Sequence, residues 1–145
     1  MQIDIQVQEK RFYLQSLKIK AFCQGVIASA WAGRPDAEIS VVLANDDFVH
    51  ALNKQYRGQD KPTNVLSFEN EGIQAGDIVV AYGVLKREAK EMGKPFLTHL
   101  AHLLVHGTLH LQGYDHITDK QAQKMEKLEI QLLKEMGYPN PYREV

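Results

Sequence analysis

The run HGTLHLQGYDH, from His106 to His116, places the tightest demand on how this chain folds. His106 and His110 are four residues apart, so a helix stacks their imidazoles on one face, a turn from each other. Gly113 offers a left-handed position just past that helix, and Tyr114-Asp115 then turns the chain back. His116 can thereby swing round to the point where the two helical rings converge. Three imidazoles with a free tetrahedral position describe a catalytic zinc site, whereas a structural site fills all four. Written H-x-x-x-H-x-x-G-x-x-H, the run has the ligand spacing of a metzincin protease. It departs from that pattern at Gly107, which stands where a protease has Glu to take a proton from water. Peptide hydrolysis loses its base there, and the small residue reads as open space beside the ion.

The helix carrying the first two histidines, about Pro95 to Leu111, is apolar almost all round, with Leu100, Leu104, Val105 and Leu109 away from the histidine stripe. A helix of this kind is buried, and its polar stripe lines a cleft or satisfies itself inside. At about 100° per residue, His99, His106 and His110 fall within about 40° of one another. His99 and His102 have no fourth ligand to supply, so packing or hydrogen bonding behind the ligands accounts for them. An all-imidazole set suits zinc best, and ligand type alone also accommodates nickel, copper or iron.

Around this run the chain has the composition of a soluble single domain. Its 145 residues allow one core, with 44% hydrophobic and 24% charged residues. No apolar stretch approaches the roughly 20 residues that span a bilayer, and MQIDIQVQEKR has no signal-peptide core. No membrane role is expected. Cys23 is the only cysteine, which excludes an internal disulfide and predicts a buried, inert thiol in a reducing, cytoplasmic compartment. A net charge of −1 excludes recognition of nucleic acid by an overall basic field, so any RNA contact must be a local patch. Nothing in the sequence sets an oligomeric state.

Alternation at Ile3, Ile5 and Val7 predicts a first strand. Apolar spacing through Leu14, Leu17, Phe22, Val26, Ile27 and Ala30 predicts one helix from about Leu14 to Trp31, closed by Gly33 and Pro35. The segment AEISVVLA (37–44) reads as a second strand, and Asn45 caps a helix over about Asp46 to Gln55. YRGQDKPT reads as a loop. Asn64 to Phe68 and Asp77 to Tyr82 are two more strands, joined closely enough to pair antiparallel. A helix over about Tyr82 to Met92 ends at Gly93. Thr118 opens the last long helix with Gln121 as its capping-box partner, and Met125, Leu128, Leu132 and Leu133 form the apolar stripe. With no repeat, linker or low-complexity tract, residues 1–145 read as one α+β domain.

Two runs together resemble the YbeY family of bacterial rRNA maturation factors, which are metal-dependent endoribonucleases. One is HGTLHLQGYDH; the other is YRGQDKPTNVLSF (Tyr56 to Phe68), followed by GDI at Gly76 to Ile78. Met125-Glu126 and Glu129 agree as well, so the resemblance covers nearly the whole chain. It implies a small mixed four-stranded sheet flanked by helices, with a zincin-like helix and one zinc at His106, His110 and His116. Cleavage of single-stranded RNA, maturation of the 3′ end of 16S rRNA, ribosome quality control and contact with the ribosome or ribosomal proteins are further implications. Arg57 matches a functionally important arginine of the family.

RNA cleavage needs a nucleophile, stabilised charge on the phosphoryl oxygens and a grip on the strand. A metal at the three histidines can serve the first two needs. Arg57 suits the second, since its planar fork pairs with two phosphate oxygens at once. Taken alone, a loop arginine, like Lys54 and Lys61 beside it, is a solvated charge, and the cluster Lys86, Arg87, Lys90 and Lys94 is a solvated face. Tyr56 and Phe68 either stack on bases or pack in the core. Asp115 either orients a histidine or caps its own turn; Asp77 is expected to hold a turn. Ser67 and Thr63 have no base at a readable spacing. The leading expectation is a zinc-dependent endoribonuclease with Arg57, His106, His110 and His116 in its active site. The competing readings are a zincin-like metallopeptidase and a non-catalytic ribosome assembly factor with a structural metal.

Overall fold

Alternation along β1 (Gln2–Val7) buries Ile5 and half-buries Ile3 and Val7, with polar neighbours turned to solvent. The computed structural model, which describes residues 1–70 and 74–143, pairs this strand in parallel with β2 (Glu38–Ala44), Ile5 opposite Val41. A parallel pair requires a crossover, and α1 (Phe12–Gln15) and α2 (Ile19–Ala30) supply it. β2 pairs in parallel with β4 (Gln74–Ala81), and β3 (Val65–Glu69) adds antiparallel to the far side of β4. The order β1-β2-β4-β3 makes the mixed four-stranded sheet that the resemblance implies.

The sheet separates two cores. Ile39, Val41 and Leu43 of β2 and Ile78 and Val80 of β4 face α2 and α5 (Phe96–Leu111) in the larger one. Ala44, Val79 and Ala81 face Val49 of α3 (Asp46–Arg57) in the smaller. Successive residues such as Ile78, Val79, Val80 and Ala81 therefore alternate between the cores, the period-2 consequence of a sheet covered on both sides. The domain is completed by α4 (Tyr82–Met92) and α6 (Asp119–Glu135), which opens with the expected Thr118–Gln121 capping box.

Three sequence expectations are corrected. The predicted helix from Leu14 to Trp31 is two helices, interrupted at Ser16, whose backbone is extended. Leu14 and Leu17 are 77% and 87% exposed, while Ile19, Cys23, Val26, Ile27 and Ala30 carry the buried helical stripe. Phe12 instead packs edge-on against Tyr82 at 5.0 Å and Phe96 at 5.9 Å. The fourth strand begins at Gln74 and stops at Ala81, so Asp77 lies within a strand and accepts from the Asn70 amide at 3.3 Å. Finally α3 runs two residues further than expected, placing Tyr56 and Arg57 in its last turn; Gly58, at φ 67°, ends it.

Candidate metal centre

The end of α5 builds the site. Beyond Gln112, Gly113 adopts φ 92°, its N–H bonds the His110 carbonyl at 3.0 Å, and the Tyr114 N–H bonds the Leu109 carbonyl at 3.2 Å. These two bonds are the Schellman stop that reverses the chain at a left-handed glycine. His116 returns over the helix end, with ring centres 5.5 Å from His106 and 5.1 Å from His110. One nitrogen from each of the three rings lies within 4.8 Å of the others, so the triad could hold a metal ion.

Hydrogen bonds behind the rings decide which nitrogens converge. His106 Nδ1 lies 2.8 Å from a Glu129 carboxylate oxygen, and His110 Nδ1 lies 2.9 Å from the Tyr114 carbonyl. Both partners only accept, so both Nδ1 atoms carry hydrogen, and in neutral imidazoles both Nε2 atoms then present bare lone pairs. Those Nε2 atoms are 3.0 Å apart. Two lone pairs at that separation repel unless a cation lies between them. Ligands about 2.1 Å from one tetrahedral zinc are themselves about 3.4 Å apart, close to this separation. The donor set therefore fits a transition metal. His110 is held below the usual imidazole range, by burial first and then by its histidine neighbours, which keeps it available as a neutral ligand.

Glu129 is the side chain that sequence reasoning did not assign to this site. It is 1% exposed on α6 and accepts from His106, from His102 at 3.4 Å and from the Tyr142 hydroxyl. Burial alone would raise its pKa, but the hydrogen bonds from His102, His106 and Tyr142 bring it down to about 2. A signal existed: Glu129 falls between Met125 and Leu133 on the buried stripe of its helix, where a carboxylate requires partners. Asp115 does not take the orienting role. Its carboxylate accepts from the His116 backbone N–H at 2.7 Å and stands 4.0 Å from the ring, so it caps the turn.

His106, His110, His116 and Arg57 line one open cleft of about 1190 Å³. Arg57 reaches it from α3, donating to the Ser67 carbonyl, with its guanidinium 5.0 Å from the Phe68 ring centre. Ser67 thus contributes a carbonyl that aims the arginine. Tyr56 is 61% exposed and packs edge-on to Phe68, so it is not a core residue. Lys54 pairs with Asp60 at 3.8 Å, and neither it nor Lys61 lines the cleft. Arg87 pairs with Asp46 at 3.2 Å, and Lys94 donates to the Pro141 carbonyl at 2.7 Å, as surface tethers. His99 is buried against Glu88 at 2.9 Å, which the Asn64 amide also holds.

Gly107 corrects a further expectation. Its α-carbon faces the sheet, and a Cβ there would lie 3.3 Å from Ile78 on β4. Glycine at this position allows close helix–sheet packing; it opens no space beside the histidines. Among the described residues, no helix is long and apolar enough to cross a membrane.

The family model described as endoribonuclease YbeY matches residues 4–137. A protein of Sinorhizobium medicae named endoribonuclease YbeY is 53% identical over 114 residues, covering 73% of this chain and 68% of its own length. The protein of that name from Magnetococcus marinus is 50% identical over 131 residues (79% and 88%), and that from Rhizobium meliloti 45% over 143 (86% and 85%). The solution structure of TM1509 from Thermotoga maritima superposes with a TM-score of 0.56 at 26% identity, covering 97% of this chain and 99% of that one. The resemblance read from the two sequence runs is thereby borne out, and the chain belongs to the endoribonuclease YbeY family.

Proposed function

We propose that this chain is one metal-dependent endoribonuclease domain, acting on single-stranded RNA in the cytoplasm. Its proposed work is rRNA processing, in particular maturation of the 3′ end of 16S rRNA, and ribosome quality control in contact with the ribosome. Family membership supports the nuclease activity. The observation that carries the site assignment is the pair of Nε2 atoms 3.0 Å apart, each left bare because its Nδ1 is committed elsewhere, within a cleft shared with Arg57.

Zinc is the proposed ion, held by His106, His110 and His116; when bound it supplies Lewis acidity toward water and toward a phosphoryl oxygen. The protein's part is positional. Glu129 and the Tyr114 carbonyl fix the two helical imidazoles, and the Gly113 turn delivers the third. Arg57 binds the phosphate of the strand. Its fork engages two oxygens and stabilises the charge that grows on them as the bond breaks, with the Ser67 carbonyl and the Phe68 face holding the guanidinium in place. Peptide hydrolysis has no support from Gly107, whose site is filled by Ile78.

The test is elemental analysis of purified protein beside cleavage assays on single-stranded RNA and unstructured peptide, for wild type, His110→Ala and Arg57→Ala. The expected result is zinc in wild type and Arg57→Ala, none in His110→Ala, and RNA cleavage in wild type alone. Peptide cleavage abolished by His110→Ala, with RNA left intact, overturns the reading.

A further inference from the structure

The segment after α6 returns to the cleft and places one aromatic side chain there. Tyr142 lines the same cleft as the histidine triad and Arg57, and it is 46% exposed. Its orientation is the reverse of an ordinary surface tyrosine, which covers its ring and wets its hydroxyl. Here the hydroxyl donates to the fully buried Glu129 carboxylate, so the polar end points inward while the residue lines the cleft.

The segment is also fixed. The Tyr142 N–H donates to the Asn140 side chain at 2.9 Å, Lys94 holds the Pro141 carbonyl at 2.7 Å, and the ring stands edge-to-face with His102 at 5.3 Å. A large flat ring pinned at its hydroxyl and packed against His102 loses little freedom when a ligand lies on it, and affinity follows from that preorganisation. A chain of two hydrogen bonds, Tyr142 to Glu129 to His106, sets the ring at a defined place relative to the metal centre.

We propose that Tyr142 is a nucleobase platform: one base of the bound strand stacks on its ring while Arg57 holds a phosphate. This rests on the reading of the cleft as an RNA-cleaving site, and it gives that site a physical source of strand selectivity. A base in a duplex is already stacked and paired, so only an unpaired base offers its face to a protein ring. Tyr142 is a substrate-binding residue here, touching a base and not the reacting phosphate.

Steady-state cleavage of a labelled single-stranded RNA by wild type, Tyr142→Phe and Tyr142→Leu, with metal content and thermal melting alongside, tests this. Stacking on one aromatic ring changes binding by about 5- to 150-fold. Both substitutions remove the hydroxyl bond to Glu129, so both share whatever that loss does to zinc and kcat. At matched zinc content Tyr142→Leu is expected to raise KM by that factor over Tyr142→Phe, which keeps the ring. Abasic sites scanned through the RNA provide a readout on wild type itself. Removing one particular base should raise KM by the same factor, and in Tyr142→Leu that removal should cost nothing more. Equal KM for wild type and Tyr142→Leu, equal losses in both variants, or no sensitive base in the wild-type scan overturns the platform while RNA cleavage stands. A wild-type protein that cleaves no RNA overturns the proposed function and the platform together.

Discussion

The buried Glu129 carboxylate accepts the Nδ1 hydrogen of His106 at 2.8 Å, so a side chain on α6 selects the nitrogen that a residue on α5 turns toward the cleft. The carboxylate also gathers His102 and the Tyr142 hydroxyl, which ties α5, α6 and the C-terminal segment to one buried charge. Orientation of the metal centre is thus a property of helix–helix packing.

Removing that carboxylate should loosen the metal. Partners of this kind behind a ligand are worth about 10- to 100-fold in affinity. Glu129→Ala is expected to weaken zinc by that factor in a chelator competition, with a smaller loss for Glu129→Gln, whose amide oxygen still accepts. Asp115→Ala, which removes only a turn cap, should lose less than Glu129→Ala. An equal or larger loss from Asp115→Ala would show that the orienting group had been misassigned.

Arg57 separates charge from shape. Lysine keeps the charge but cannot grip two oxygens at once. Arg57→Lys is expected to lower kcat/KM on single-stranded RNA by about 100-fold, with zinc content and melting temperature unchanged because the side chain is exposed. Full activity in this variant would reduce Arg57 to a packing partner of Phe68.

Restoring the protease-like glutamate should not make a protease. A side chain at Gly107 enters the contact with Ile78, so Gly107→Glu places an unpaired carboxylate between α5 and the sheet. An uncompensated buried charge costs about 3 kcal/mol or more. Urea unfolding is expected to show that loss, with no peptidase activity gained. A stable, peptide-cleaving variant would refute the packing account.

Cys23 is fully buried, and burial pushes its thiol from 9.0 up to about 12. The unfolded chain therefore releases this proton more readily than the folded one. The stability linked to it is complete below about pH 9 and is lost as pH rises toward 12, at about 1.4 kcal/mol per unit. Urea unfolding at stepped alkaline pH should show this decline, and Cys23→Ala should remove it. A disulfide-exchange reagent at neutral pH should label the thiol only after unfolding.

The histidine run was legible in the sequence because its geometry is local. Four residues of helix fix the His106–His110 distance, and one left-handed glycine fixes the turn that returns His116. Strands and caps whose signals lie within a few residues were equally legible, from the alternation of β1 to the Thr118–Gln121 box. The break at Ser16 was not, since Leu14 and Leu17 have the spacing of a buried face, and only in the folded chain are they exposed while Phe12 packs on Tyr82 and Phe96.

Other properties belonged to tertiary structure alone. Arg57 was assigned to the site only by the family resemblance; it lies far along the chain from the histidines and lines their cleft because the sheet order β1-β2-β4-β3 brings the end of α3 and strand β3 beside α5. Glu129 and Tyr142 join the site only through the packing of α6 and the returning C-terminal segment. Ligand spacing is written in bonds and helical turns, which a sequence displays. The tautomer of His106, the aim of Arg57 and the inward hydroxyl of Tyr142 depend on contacts between segments distant along the chain, and those exist only once the core has formed.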